Sequence, residues 1–215
     1  VINKILCLDD HFQFKSICSS HCMTENSLRP LKIILVGSSG VGKTSLINAY
    51  FDQPYENETQ PTVAPAFCCS SVRIPSGESV DLHIWDTAGQ ERFQSIGGMF
   101  YRDSDVAFIC FNVETIDTIP QWISKVLAQV PDCIIFLVLT KEDLLSIEEK
   151  EKILNDSTRL MEEYKAKGFY LTSAATGNGV ANLFQAAGRC IEDICSISAP
   201  STVEIQKNDK NDCKC

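Results

Sequence analysis

No stretch of this 215-residue chain reaches the roughly 18 consecutive apolar residues that a membrane-crossing helix needs, so an integral helical membrane protein is excluded. Positive charge is in deficit: 19 Lys and Arg stand against 28 Asp and Glu, a net charge of −9. A surface of that sign does not clamp phosphate backbones, and no nucleic-acid partner is expected. Internal repeats are absent, and the length suits one domain with appendages. The chain opens on Val1 and its first methionine is Met23, which leads to the expectation that residues 1–22 lie upstream of the natural start.

What is present has an uneven distribution. In residues 1–30, Lys4, Lys15 and Arg29 balance Asp9, Asp10 and Glu25. In residues 196–215, Lys207, Lys210 and Lys214 balance Glu204, Asp209 and Asp212, so the acidity belongs to residues 31–195. The eleven cysteines are an odd number in a long chain and do not read as a disulfide framework. Those within apolar runs are expected to be buried free thiols acting as small hydrophobes. Cys18, His21 and Cys22 lack the second half that a structural zinc site needs. The reading is therefore a head (1–30), a domain (31–195) and a flexible tail (196–215), the tail being poor in anything to bury.

Within the domain, Leu31–Val36 is a short apolar run ending at glycine, as in a buried parallel strand. A helix is expected over Thr44–Phe51. Phe67–Ile74 and Val80–Trp85 flank Pro75-Ser76-Gly77-Glu78-Ser79, which is hairpin chemistry. Pro65 cannot donate to a ladder, so it must lie at an edge or outside the sheet. Val106–Phe111 and Cys133–Leu139 are further apolar strands. Pro120 opens a helix to about Gln129, Ile147–Lys167 is helical with Gly168 as its expected cap, Phe169–Thr172 is a short strand, and Val180–Cys195 is a last amphipathic helix. Strands alternating with helices give an α/β fold with a mostly parallel sheet.

Gly37-Ser38-Ser39-Gly40-Val41-Gly42-Lys43-Thr44 matches G-x-x-x-x-G-K-[ST] between a strand and a helix. Its glycines let successive N–H groups face an anion, the helix start adds its positive dipole end, Lys43 reaches terminal phosphates, and Thr44 offers a hydroxyl to Mg²⁺. Trp85-Asp86-Thr87-Ala88-Gly89-Gln90-Glu91 follows a strand: Asp86 is placed to hold Mg²⁺, Gly89 lets an amide approach the γ-phosphate, and Gln90 can orient a water. Thr140-Lys141-Glu142-Asp143 offers a carboxylate to the N1–H and exocyclic amine of guanine, a donor pair that adenine lacks. Thr172-Ser173-Ala174 can meet the guanine O6 with an amide. Each of these last strings is weak alone, but all fall at the carboxyl ends of strands, where open α/β sheets bind ligands.

Together these motifs resemble the Ras superfamily of small GTPases across residues 31–195. The resemblance implies a P-loop NTPase G domain: a six-stranded, mostly parallel sheet with one antiparallel edge hairpin strand and helices on both faces. It implies GTP and GDP as nucleotides, Mg²⁺ as cofactor, and slow hydrolysis by a water that Gln90 positions while Lys43 and Thr62 act at the phosphates. Metal ligands would be Thr44, Thr62 and Asp86. Nucleotide contacts would come from Ser39, Gly40, Val41, Gly42, Lys43, Thr44, Ser45, Tyr55 beside the base, Thr62, Gly89, Thr140, Lys141, Asp143, Leu144, Ser173, Ala174 and Ala175. Residues near 86–101 would form the second switch. Two departures stand out. Thr140 replaces the usual asparagine, and Ala175 replaces the usual lysine, so guanine preference is expected to persist with somewhat weaker binding. No arginine lies in the phosphate loop or first switch, so an activating protein would supply that charge.

Gln90-Glu91-Arg92-Phe93-Gln94-Ser95-Ile96 and Phe100-Tyr101-Arg102 resemble the Rab branch. That resemblance makes Phe67, Trp85 and Phe100 an effector-facing triad, although Thr62–Phe67 departs from the usual Rab string. The terminal Cys213-Lys214-Cys215 is similar to doubly geranylgeranylated Rab endings, and two lipids would anchor a tail that has no basic patch. Expected partners are an exchange factor, a GTPase-activating protein, a GDP-dissociation inhibitor, the prenylation machinery and trafficking effectors, with a monomeric chain cycling between cytosol and the cytoplasmic face of an intracellular membrane. The alternatives are a Rho-type switch, which Thr140 favours, a nucleotide-holding scaffold without hydrolysis, and, more distantly, a P-loop kinase or ATPase.

Overall fold

The computed structural model describes residues 5–7, 28–56, 62, 65–87 and 100–198. Seven strands form one sheet: β1 (Ile5–Cys7), β2 (Leu31–Val36), β3 (Ala66–Arg73), β4 (Ser79–Asp86), β5 (Val106–Phe111), β6 (Ile134–Leu139) and β7 (Gly168–Leu171). Their spatial order is β1-β3-β4-β2-β5-β6-β7. From β4 across to β7 every pairing is parallel, while β3 runs antiparallel to β4. This is the six-stranded mixed sheet anticipated for residues 31–195. Residues 5–7 add a seventh strand, antiparallel to β3, with Leu6 opposite Phe67.

The helices described from end to end are α1 (Lys43–Tyr50), α2 (Ile119–Leu127), α3 (Ile147–Tyr164) and α4 (Val180–Ser198). Strand side chains alternate between faces, and β2 shows it directly. Ile33 and Leu35 enter one buried cluster with Leu46 and Ile47 of α1 and Leu183, Phe184 and Ile191 of α4. Ile34 and Val36 enter the other, with Trp122 and Val126 of α2 and Ile153 and Leu160 of α3. Both faces of β2, β5 and β6 are therefore covered, which is why these strands read as continuous apolar runs. Among the described residues no helix is long and apolar enough to cross a membrane.

Local chemistry explains most element ends. Pro65 lies just outside β3, as its missing donor requires. Gly77, at φ 90°, turns the hairpin, whose ends are tied by Ile74 N–H to the Glu78 carbonyl at 2.9 Å. Pro120 sits in the first turn of α2. Ser146 and Glu149 cap each other's backbone amides at the start of α3. The expected cap at Gly168 is corrected: α3 stops at Tyr164, and Lys165 takes the left-handed conformation at φ 52°. Gly168 instead begins β7, where a Cβ would stand 2.8 Å from the Tyr170 ring. Its glycine serves packing rather than a helix end.

Strand order reverses direction around β2, with β4 on one side and β5 on the other. A crevice forms at such a switch point, outside the carboxyl ends of the strands. The segments following β2, β6 and β7 and the end of β4 all open there. The domain entry is also tied down. The Asp105 carboxylate accepts both guanidinium nitrogens of Arg29, at 2.9 and 2.7 Å, and the Lys32 amide at 2.8 Å.

Candidate functional site

Beyond β2 the chain turns through Gly37 (φ 149°), Gly40 (φ 76°) and Gly42 (φ 101°) before α1 begins at Lys43. Among the described residues, none of the amides from Ser38 to Ser45 donates to another protein group. Those amides, at the positive end of α1, form a concentrated donor set for an anion. Lys43 is buried and lies back over the loop, its Nζ donating to the carbonyls of Gly37 at 2.8 Å and Ser38 at 2.9 Å. An ammonium has three protons, so one remains for a ligand. Burial pulls the Lys43 pKa below its ordinary value, opposed by nearby acidic groups, Asp86 among them. A buried cation of this kind gains most when an anion arrives.

Three oxygen-bearing side chains from three separate segments meet beside Lys43. Thr44 Oγ1 donates to Asp86 Oδ2 at 2.6 Å, and Thr62 Oγ1 lies 2.7 Å from Thr44 Oγ1. The Thr44 proton is used on Asp86, so Thr62 donates to Thr44. Asp86 is only 3% exposed, and its Oδ1 has no hydrogen-bond partner. Burial pushes the Asp86 carboxyl up, while the Thr44 hydrogen bond and then the Lys43 charge pull it down. An orphaned carboxylate oxygen beside two hydroxyls is the donor chemistry of a hard, oxygen-loving cation, so these residues fit Mg²⁺. Thr44, Thr62 and Asp86, named from sequence, are brought together.

The base-side segments are organised by β6 and β7. Thr140 is buried, its Oγ1 within 2.6 Å of the Val41 carbonyl and 3.1 Å of the Phe111 carbonyl. Threonine in place of asparagine thus still ties this loop to the phosphate loop. Thr140→Ala leaves the Val41 carbonyl without that donor, and fluorescent GDP should then dissociate roughly fivefold to tenfold faster, about the worth of one neutral hydrogen bond. An unchanged release rate would remove the tie from consideration. Lys141 (φ 56°) turns the chain into a short 3₁₀ turn, Glu142–Leu144. Asp143 is exposed, as is Leu144 at 74%. In the facing loop, Ser173 is buried and Ala175 is exposed. Among the described residues the Ala174 amide donates to nothing. Tyr55, half exposed, lines a small cavity with Ser45 and Ala174, so these three expected contacts share one wall of the crevice.

Phe67, Trp85 and Phe100 form one half-buried cluster, with ring centroids 4.9 Å apart for the first pair and 6.0 Å for the second. Lys32 Nζ lies 5.2 Å over the Trp85 ring. Four thiols are raised by burial, those of Cys68, Cys110 and Cys133 to about 12 and that of Cys190 to about 11. The expectation of burial fails at Cys195, which is exposed, and at Cys69, which is half-buried. Gly89, Gln90, Cys213, Cys215 and the Cys18, His21, Cys22 cluster lie outside the described residues. One residue escaped sequence reasoning: Glu142 is buried among polar partners, although in TKED it reads as a solvated charge.

Residues 32–193 match the family model described as the Ras family. The chain is 33% identical over 189 residues to the Ras-related protein Rab-7a of Dictyostelium discoideum, covering 81% of this chain and 90% of the relative. It is 34% identical over 169 residues to the Ypt/Rab-type GTPase ypt7 of Pyricularia oryzae, covering 74% and 80%. It is 33% identical over 159 residues to the Ras-related protein Rab-5B of Plasmodium falciparum, covering 72% and 74%.

Proposed function

The chain belongs to the Ras family and to its Rab-type small GTPases, and from that premise we propose a GTP-hydrolysing switch in vesicle trafficking that works through the residues gathered around Lys43. The observation that carries this assignment of roles is the meeting of Thr44, Thr62 and the orphaned Asp86 oxygen beside a loop of free amides. Amides 38–45 and Lys43 bind and orient the phosphates. Thr44, Thr62 and Asp86 would hold Mg²⁺, which when bound neutralises charge on the β- and γ-phosphate oxygens. Thr62 lies in the segment before β3 and Asp86 ends β4. Any ligand that engages both therefore couples the switch segments to the state of the phosphate. Asp143 would accept the guanine N1–H and exocyclic amine, and Gln90 would orient the attacking water.

Cys213 and Cys215 would carry the two lipids that hold the protein at the cytoplasmic face of an intracellular membrane. Exchange factor, activating protein, GDP-dissociation inhibitor and trafficking effectors would act on the monomer, effectors through Phe67, Trp85 and Phe100. The relatives being Rab and Ypt proteins favours this over a Rho-type switch. Displacement of labelled GDP checks the nucleotide site. GTP and GDP should compete at least a hundredfold better than ATP, and chelating Mg²⁺ should speed release by tenfold or more. Single-turnover hydrolysis should run on the order of 10⁻⁴–10⁻³ s⁻¹, as at unassisted sites of this type. Equal displacement by ATP would refute the base assignment, and no hydrolysis over a day would favour a scaffold.

A further inference from the structure

We propose that Glu142 is the positioning residue that locks the two base-side loops to each other, and thereby sets how long and how selectively this chain holds its nucleotide. The inference rests on the guanine-site reading above. Glu142 is 7% exposed, whereas its neighbour Asp143 is exposed, so the turn sends one carboxylate inward and the next outward. Its Oε1 accepts from Asn178 Nδ2 at 2.7 Å, and its Oε2 pairs with Lys150 Nζ at 2.6 Å. Its amide donates to the Thr172 carbonyl at 3.1 Å. One residue thus joins the loop after β6, the loop after β7 and the first turns of α3.

The facing groups keep Glu142 ionised. The Lys150 hydrogen bond, then that from Asn178, hold its carboxyl below the usual range, while partial burial and Asp143 oppose them. Asn178 is itself built into its loop. Its carbonyl accepts from the Ser173 amide at 3.0 Å, and its amide donates to Thr176 Oγ1 at 3.3 Å. Ser173 immediately precedes the free Ala174 amide, and Asp143 immediately follows Glu142. A shift of either bonded partner therefore moves a group expected to touch the base. Ala175, small and exposed, gives this loop no long side chain of its own, and the Glu142–Asn178 bond spans the gap between the loops.

The test compares the wild type with Glu142→Ala, Glu142→Gln, Asn178→Ala and the Glu142→Ala/Asn178→Ala double variant in the full chain. One readout is the release rate of fluorescently labelled GDP. The other is the preference for GDP over inosine diphosphate, which lacks the exocyclic amine that Asp143 would accept. Asn178→Ala should release GDP about tenfold faster, the loss of one charge-assisted hydrogen bond, and Glu142→Ala, which also loses the Lys150 pair, at least as fast. The double variant should be no faster than the faster single, because the two residues act as one bond. Glu142→Gln keeps an acceptor for Asn178 and should stay within about threefold of wild type. Preference for GDP over inosine diphosphate should fall in both alanine variants. Additive singles, or faster release with the preference unchanged, would show general loosening and overturn the proposal, as would wild-type behaviour in both variants. A wild type that binds ADP as well as GDP would instead overturn the guanine site itself, and this proposal with it.

Discussion

Lys43→Met is expected to weaken GDP and GTP binding by roughly a hundredfold to a thousandfold, the worth of about 3–4 kcal/mol in charge-assisted hydrogen bonds. Methionine keeps much of the side-chain volume in a buried position and removes only the ammonium. Two losses follow. The carbonyls of Gly37 and Ser38 lose the donor that draws them inward, so the loop is no longer held in the curve that aims its amides at one point. The phosphates lose a cation that is already desolvated and has one proton to give. Lys43→Arg should not restore binding, because a planar guanidinium cannot place donors on two adjacent loop carbonyls and a phosphate as a compact ammonium does. Titration with labelled GDP measures the change directly. A Lys43→Met protein that binds GDP within threefold of wild type would mean that the free amides alone hold the phosphates.

The second large effect falls on stability. A Cβ at Gly37 would stand 2.1 Å from the Cys110 carbonyl oxygen, and the backbone there has φ 149°. The obstacle is backbone within β5, which is paired with β2 and β6 and cannot retreat without breaking a ladder. Gly37→Ala therefore combines overpacking with a conformation that L-residues avoid, and should cost about 3 kcal/mol. For a domain of this size that lowers the unfolding midpoint by roughly 10 °C. Thermal unfolding with saturating GDP is the measurement, and Gly40→Ala is the comparison. A Cβ at Gly40 meets nothing within 4 Å, so only the conformational part of the cost remains there. Equal midpoints for the two variants would contradict a steric origin.

Much of the site was legible because phosphate chemistry constrains local sequence. The run from Gly37 to Thr44 needs its glycines, its lysine and its hydroxyl at a set spacing, so the motif is readable without knowing its neighbours. Asp86 was readable from its place at a strand end, whereas Thr62 was readable only through resemblance, since nothing local in its segment says that it converges on Thr44. Thr140 looked like a loss. In space its hydroxyl still reaches the Val41 carbonyl, a contact between residues 99 positions apart. Glu142 was hidden for the same reason: its partners Lys150 and Asn178 lie in other elements, and no local pattern separates a buried glutamate from the solvated one beside it.

Residues 31–195 determined by themselves the order of strands and helices and the phosphate loop, because apolar periodicity and glycine spacing are local demands of the backbone, while the guanine expectation came from the strings at 140–143 and 172–174 and from the resemblance. The apolar runs at 31–36, 106–111 and 133–139 announced a sheet covered on both faces, and the structure has it. The cysteines show the limit: composition marked them as free thiols, but only the fold left Cys195 outside and put Cys110 beneath Gly37. The end of α3 shows it too, since Gly168 was needed against the Phe136 and Tyr170 rings while Lys165 took the strained turn. Tertiary structure alone decided which carboxylate turns inward in TKED and which two loops are tied together. Those choices depend on groups brought close by sheet order, and separation along the chain carries no trace of them.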